Sequence, residues 1–266
     1  MAFEAGETTK RRDRRRRGPR QQRRPRAKTS RISVVGVVGE LLVTAGVLVM
    51  LFLGWQLWLN DIIVGNEQGA AADRLSEGWS RGEGTGAAKP VGPGAPVVMS
   101  APGNAEKFAV LIVPRWGAEY ERPIAEGIGV SDVLNKIGLG HYPGTQMPGE
   151  AGNFALASHR MAYGGGFKDV HQLQVGDHIY VETQDGWYGY SFRSLQYVKP
   201  SGVGVIEPVP EQAGTEPVDR LITLTTCNPF FSTAERIIAY GLYDTWYPRA
   251  GGPPTEIAGT VTARSS

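Results

Sequence analysis

The sequence predicts an all-β head, closed as a barrel or stacked as a sandwich, behind a single membrane-spanning helix. Three observations predict it. Ile32–Leu59 is apolar apart from Glu40 and a few mildly polar residues. Residues 107–250 hold six short apolar or alternating runs broken by Gly, Pro and Asp, and little helical pattern. Between these regions, residues 60–106 are rich in Gly, Ala, Pro and Ser, as in "RGEGTGAAKPVGPGAP".

The chain opens on a basic arm. Residues 10–31 carry 13 of the 28 Lys and Arg, and residues 1–31 hold three acids. The rest carries 15 basic and 23 acidic groups, so the net charge of +2 hides a basic arm on an acidic body. Such an arm fits a nucleic acid or a membrane flank. The membrane reading prevails, because a span follows and no DNA-reading fold does. Leu41–Leu59 alone supplies 19 residues, close to the ~20 that cross a bilayer core. Trp55 and Trp58 stand at its far end, where indole rings favour the headgroup region. The positive-inside rule then puts residues 1–31 in the cytoplasm and everything beyond Asn60 outside the cell. A cleaved signal peptide is the competing reading, but the span is long and lacks a small-residue cleavage site.

Residues 60–106 have too few large apolar side chains for a core and are expected to form a flexible stalk. The head follows at 107–250, and a polar tail at 251–266. Within the head, strands are expected at "FAVLIVP" (108–114), "NFALASHR" (153–160), "DHIYVET" (177–183), "WYGYSFRSLQYV" (187–198), "RLITLTTC" (220–227) and "ERIIAYG" (235–241). Gln-Asp-Gly between the third and fourth marks a hairpin. Short helices fit "SDVLNKIG" (131–138), with Ser131 as N-cap, and "GFKDVHQL" (166–173). There is no internal repeat and no HExxH, CxxC or P-loop signature.

Cys227 is the only cysteine. Extracellular cysteines usually pair, so an unpaired one is either a buried small hydrophobe or a reactive group. A strand period of two puts Ile222, Leu224 and Thr226 on one face and Leu221, Thr223, Thr225 and Cys227 on the other. The first face has the character of a core. The second leads small hydroxyl residues up to the thiol at a strand end, where loops build sites. On these residues alone both readings of Cys227 stay open.

A cysteine nucleophile needs a base or an imidazolium partner. The chain offers His141, His159, His171 and His178. His159 ends an alternating strand beside Ala155 and Ala157, which leave room for the ring. His141 lies in a Gly/Pro loop that fits a groove edge, while His171 and His178 read as solvated. An oxyanion donor is the third need. Arg236 follows Cys227 by nine residues and shares a face with Ile238 and Tyr240, which is costly without a partner or a role. The alternative is an edge-strand arginine paired with Glu235 or Asp244.

"TLTTC" at 223–227, with His159 upstream and Arg236 downstream, resembles the T-L-x-T-C constellation of sortases, the cysteine transpeptidases of Gram-positive surfaces. "IVPRWG" (112–117), "GHYPGT" (140–145), "PGEAGNFALASHR" (148–160) and "LQVGDHIYVET" (173–183) resemble the class E sortases of actinobacteria. The resemblance covers 108–248. Two departures stand out: Asn228 where class E members commonly carry histidine, and a glycine-rich "MAYGGGF" (161–167) where a Thr and a Pro are expected.

The resemblance implies a closed eight-stranded β-barrel with short helices. It implies that Cys227 attacks the Thr–Gly bond of a C-terminal LPxTG-like sorting signal, LAxTG in many class E members, and that an amine of a cell-wall precursor resolves the thioacyl enzyme. His159 would serve as acid and base, and Arg236 would steady the oxyanion or the peptide. Substrate contacts are expected from Thr225, Thr226, Val205, Ile206, Tyr142 and His141. The segment Gln196–Leu221, stiffened by Pro200, Pro208, Pro210 and Pro217, is expected to wall the peptide groove. The implied partners are surface proteins with sorting signals, a lipid-linked peptidoglycan precursor and the cytoplasmic membrane; no cofactor, metal or nucleic acid is implied. Two other readings compete: a papain-type Cys-His peptidase or wall amidase, whose cysteine usually precedes the histidine and starts a helix, and a non-catalytic membrane-anchored surface module.

Overall fold

The computed structural model describes residues 33–82 and 96–263. The basic arm, residues 83–95 of the expected stalk and the last three residues of the tail lie outside the described residues. The chain divides into two units at Leu48/Val49, and each is taken by itself.

Helix α1, Val34–Gly54, is apolar apart from Glu40 and Thr44 and buries none of its residues. With 21 residues and a mean hydropathy of 2.4 it is long and apolar enough to cross a membrane. The chain stays helical through Trp55–Leu59, wound more widely, and into α2, Asn60–Ser80.

Eight strands make the head: β1 Lys107–Ile112, β2 Glu121–Glu126, β3 Leu139–His141, β4 Gly152–Ser158, β5 His178–Thr183, β6 Gly186–Val198, β7 Arg220–Asn228 and β8 Glu235–Pro248. They close into a barrel in the order β1-β2-β3-β4-β7-β8-β6-β5. All neighbours are antiparallel except β2–β3 and β4–β7, which run parallel. Closure leaves no sheet edge. The six expected strands are all present. β2 and β3 are additional: Pro123 interrupts the pattern of the first, and the second is three residues long.

The barrel interior is filled by one side of each strand. Ile222 and Leu224 of β7 are fully buried and pack with Leu111, Ile124, Phe154 and Leu156. This is the core face expected from the period of two. Burying such a side chain stabilises by about 1.5–3 kcal/mol.

The stalk expectation is corrected for residues 60–80. Helix α2 lies on the outside of the barrel against β1, β2 and β5. Ala72, Leu75 and Trp79 give it one apolar stripe, which joins Val110, Ile112, Tyr180 and Trp187 in a second cluster. A helix needs one such stripe rather than a core of its own, which is why a count of large apolar residues missed it. Ser76 Oγ donates to Glu182 Oε1 at 2.7 Å, adding a buried polar tie. The polar-tail expectation is corrected in the same way. Ile257 is 1% exposed within that cluster and is followed by α3, Ala258–Ala263. Glu256 accepts from Tyr180 Oη at 2.8 Å.

The expected helices shrink to single turns at Val130–Leu134 and Val170–Gln172. Gly129 rather than Ser131 precedes the first, and no side chain caps it.

Candidate active site

The parallel β4–β7 ladder pairs Phe154 with Ile222 and runs in register to Ala157 with Thr225. One step further, Thr226 Oγ1 donates to the Ser158 carbonyl at 2.7 Å. His159 follows directly on Ser158, the last residue of β4, and Cys227 follows directly on Thr226 within β7. On the other flank, β7 pairs antiparallel with β8, and there Cys227 is the partner of Arg236. The three expected residues therefore stand at one end of three adjacent strands, His159 directly after β4, Cys227 near the end of β7 and Arg236 near the start of β8. Strand alternation turns them to the face opposite Ile222 and Leu224, outside the barrel.

Cys227 is free and half-buried. His159 is also half-buried. Its Nε2 lies 2.8 Å from Asn135 Oδ1. An amide oxygen only accepts, so this bond puts the ring proton on Nε2 and leaves Nδ1 without one. Burial pushes the imidazole below its ordinary pKa of 6.5, and the Asp61 carboxylate partly opposes that. Tyr163 lies over the ring, its centroid 5.3 Å away. The Arg236 guanidinium donates from Nη1 to the carbonyls of Thr233 and Glu235, each at 3.0 Å. Neither Glu235 nor Asp244 pairs with it: Glu235 meets Lys199 and Asn228, and Asp244 lies 3.9 Å from His178.

The remaining expected contacts divide. Thr225 holds Tyr142 Oη at 2.9 Å through its hydroxyl, on the thiol's face. Ile206, next in the chain to the buried Val205, is half-buried. Asn153 of β4 donates from Nδ2 to the carbonyls of Val205 (3.2 Å) and Glu207 (3.0 Å), and its Oδ1 accepts from Thr223 at 2.6 Å. Those bonds pin the β6–β7 connection over β4 and β7. Three expectations are corrected. Val205 is 5% exposed, so its side chain does not line an open surface. Thr226 is buried with its hydroxyl spent on Ser158. His141 is fully buried and belongs to β3, with Nδ1 2.6 Å from Glu126 and its ring stacked on Phe154. It is a core histidine, not a groove residue.

Several neighbours went unread in the sequence. Arg160, buried beside His159, donates to Asn228 Oδ1 and stacks on Phe230 at 4.1 Å. Asn228 Nδ2 in turn donates to Glu235 at 3.2 Å. A polar chain thus ties the residues next to His159 and Cys227 to the foot of β8, and it gives Asn228 a structural task. Asn135 carried no signal in the sequence. The loop after His159 did: residues 162–165 all have positive φ, and Ala162 and Tyr163 bear side chains there, at about 1–2 kcal/mol each. The glycines of "MAYGGGF" mark that conformation.

The family model described as Sortase domain matches residues 111–243. Over 226 residues the chain is 37% identical to Sortase SrtE1 of Streptomyces coelicolor, covering 82% of this chain and 59% of that protein. It is 30% identical over 213 residues to Sortase SrtE2 of the same organism, covering 78% and 81%. The chain belongs to the sortase family. The family comprises cysteine transpeptidases. Solved structures agree on the fold of this sortase. SrtA sortase from Actinomyces oris superimposes with a TM-score of 0.58 at 42% identity, over 61% of this chain and 93% of that one. Sortase E1 from Streptomyces coelicolor, solved with a tripeptide in the active site, gives 0.54 at 40% identity, over 60% and 99%. The chain spans 59% of the length of SrtE1. The E-type relatives are of the class that the sequence motifs resemble.

Proposed function

We propose that this sortase cleaves the Thr–Gly bond of a C-terminal LAxTG- or LPxTG-type sorting signal and passes the acyl group to an amine of a lipid-linked cell-wall precursor. The placing of His159, Cys227 and Arg236 at one end of β4, β7 and β8 carries the reading. The Cys227 thiol gives its proton to His159 Nδ1 and, as the thiolate, adds to the threonine carbonyl, so that the oxyanion forms beside Arg236. As the C–N bond breaks, His159 gives its Nδ1 proton to the departing glycine amine. The incoming amine then attacks the thioester, returns a proton to His159 and releases the thiolate. Asn135 keeps the imidazole turned for both transfers.

The groove for the signal runs, on this proposal, over Tyr142 and Thr225 and along the pinned β6–β7 connection, where Val203 stands exposed and Ile206 half-buried. Helix α1 anchors the chain, with the basic arm cytoplasmic and the head outside. The strand position of Cys227 counts against a papain-type peptidase, whose cysteine starts a helix. A non-catalytic surface module would give these three residues no task.

Mass spectrometry of the protein with LAxTG and LPxTG peptides tests this. The expected result is a thioacyl adduct on Cys227, released on adding an amine, with one peptide preferred. An intact peptide and an unmodified thiol under conditions where a thiol probe labels Cys227 would sink it.

A further inference from the structure

The strained loop behind His159 has an external support. Asp61, in the first turn of α2, accepts the backbone N–H groups of Ala162 at 2.9 Å and Gly164 at 3.4 Å through its two carboxylate oxygens. Two turns along the same helix, Gln68 Nε2 donates to the Tyr163 carbonyl at 2.9 Å. The three bonded residues are consecutive, and all have positive φ. Gln68 is 3% exposed and is seated between two glycines: a Cβ on Gly138 or Gly164 would come within 2.7 or 2.6 Å of its Oε1. A cavity of about 830 Å3 opens beside the loop, lined by Asp61, Ile62, Trp116, Tyr120, Met161 and Lys168 among others, while at Gly164 helix and loop meet closely, a Cβ there coming within 3.2 Å of Gly65 Cα.

We infer that α2 is a clamp on the catalytic histidine: Asp61 and Gln68 hold residues 162–164 in their left-handed turn so that Tyr163 backs the His159 ring. The inference rests on the reading of His159 as the acid–base group. The ring has Asn135 on one side and Tyr163 on another. With the loop released, a two-sided seat becomes one-sided, and the imidazole gains freedom it must lose again in each proton transfer. Asp61 and Gln68 are positioning residues; they act on the reaction through Tyr163 and do not touch it. The Asp61 charge also favours the imidazolium, so its removal acts on the same ring by a second route.

The test uses the full chain in lipid nanodiscs, with Asp61→Ala, Asp61→Asn and Gln68→Ala. Amide exchange at 161–167, turnover of a sorting peptide and the His159 titration by NMR are read together, with thermal melting as a check on folding. Asp61→Ala should speed exchange across 162–164 and lower kcat by about 10–100-fold, the scale of a misplaced catalytic group. KM for the peptide should hold, and the His159 midpoint should move down. Gln68→Ala should speed exchange and lower kcat without moving the midpoint. Asp61→Asn, which keeps an acceptor oxygen but no charge, should retain more kcat than the alanine variant. Faster exchange with wild-type kcat would mean that the loop is held but the histidine does not depend on it, which overturns the clamp. So would unchanged exchange, or a loss confined to KM. If the wild-type chain forms no thioacyl adduct at all, the transpeptidase reading fails, and the clamp then stands or falls on exchange and titration alone.

Discussion

Cys227 and Arg236 are partners in the β7–β8 ladder, so thiol and guanidinium leave the barrel on the same face, one strand apart. Among the described residues no carboxylate pairs with that guanidinium. It is held by two backbone carbonyls through a single nitrogen, Nη1. The rest of its fork is available to a developing oxyanion or a peptide carbonyl.

Arg236→Lys should therefore fail nearly as badly as Arg236→Ala. A planar fork can keep its carbonyl anchors and still direct a bond to substrate, whereas an ammonium is a point charge on a flexible stem. Steady-state kcat/KM on a sorting peptide measures this; a lysine variant at the wild-type rate would show that charge alone suffices.

Cys227→Ala should abolish acylation with the barrel intact, and His159→Ala should lower kcat by roughly 10²–10⁴-fold. His141→Gln should behave differently. It strands the buried Glu126 carboxylate, which lies 2.6 Å from the ring, at a cost in stability of about 2–4 kcal/mol. Its folded fraction should keep near-normal kcat. Denaturation curves and kcat for the two histidine variants separate these roles, and a folded His141→Gln protein with no turnover would reverse the assignment.

The His159 imidazole should titrate below 6.5 in the folded protein, because burial opposes its charge. The sign for stability follows. Between 6.5 and the folded midpoint the unfolded chain binds the proton first, so this group's contribution weakens the fold as pH falls through that window and vanishes above it. Chemical denaturation at pH 7 and pH 5 should show a larger acid loss for the wild type than for His159→Gln. Equal losses, or an NMR midpoint at or above 6.5, would contradict it.

Asn153→Ala should loosen the β6–β7 connection. It removes two bonds to that connection and the acceptor of Thr223, for about 1–3 kcal/mol of stability. KM for the peptide should rise more than kcat falls. A variant with unchanged KM and a normal melting temperature would detach this connection from substrate binding.

Much of this was legible because the chemistry sits on regular strands. Alternation in "RLITLTTC" separates Ile222 and Leu224 from Thr225 and Cys227, and the barrel obeys it. What stayed hidden depends on neighbours distant in sequence. Strand β2 carries Pro123, and β3 has three residues. His141 stands next to "YPGT" and resembles a loop residue, yet tertiary pairing draws it into the barrel. Helix α2 has one modest apolar stripe amid Gly, Asn and Ser, and its partners belong to strands far along the chain. Asn135 and Asp61 gain meaning only from what the fold places beside them.

The bond from Thr226 to Ser158 joins residues 68 positions apart, and it lies directly behind the thiol and the imidazole. A contact of that span forms only after a long loop has closed. While β4, β7 and β8 remain unpaired, Cys227 lacks the neighbours that the closed barrel gives it. On the proposed reading, peptide-cleaving power would switch on with barrel closure. On that reading thioacylation doubles as an assay of completed folding, able to score a chain as native or not by chemistry alone.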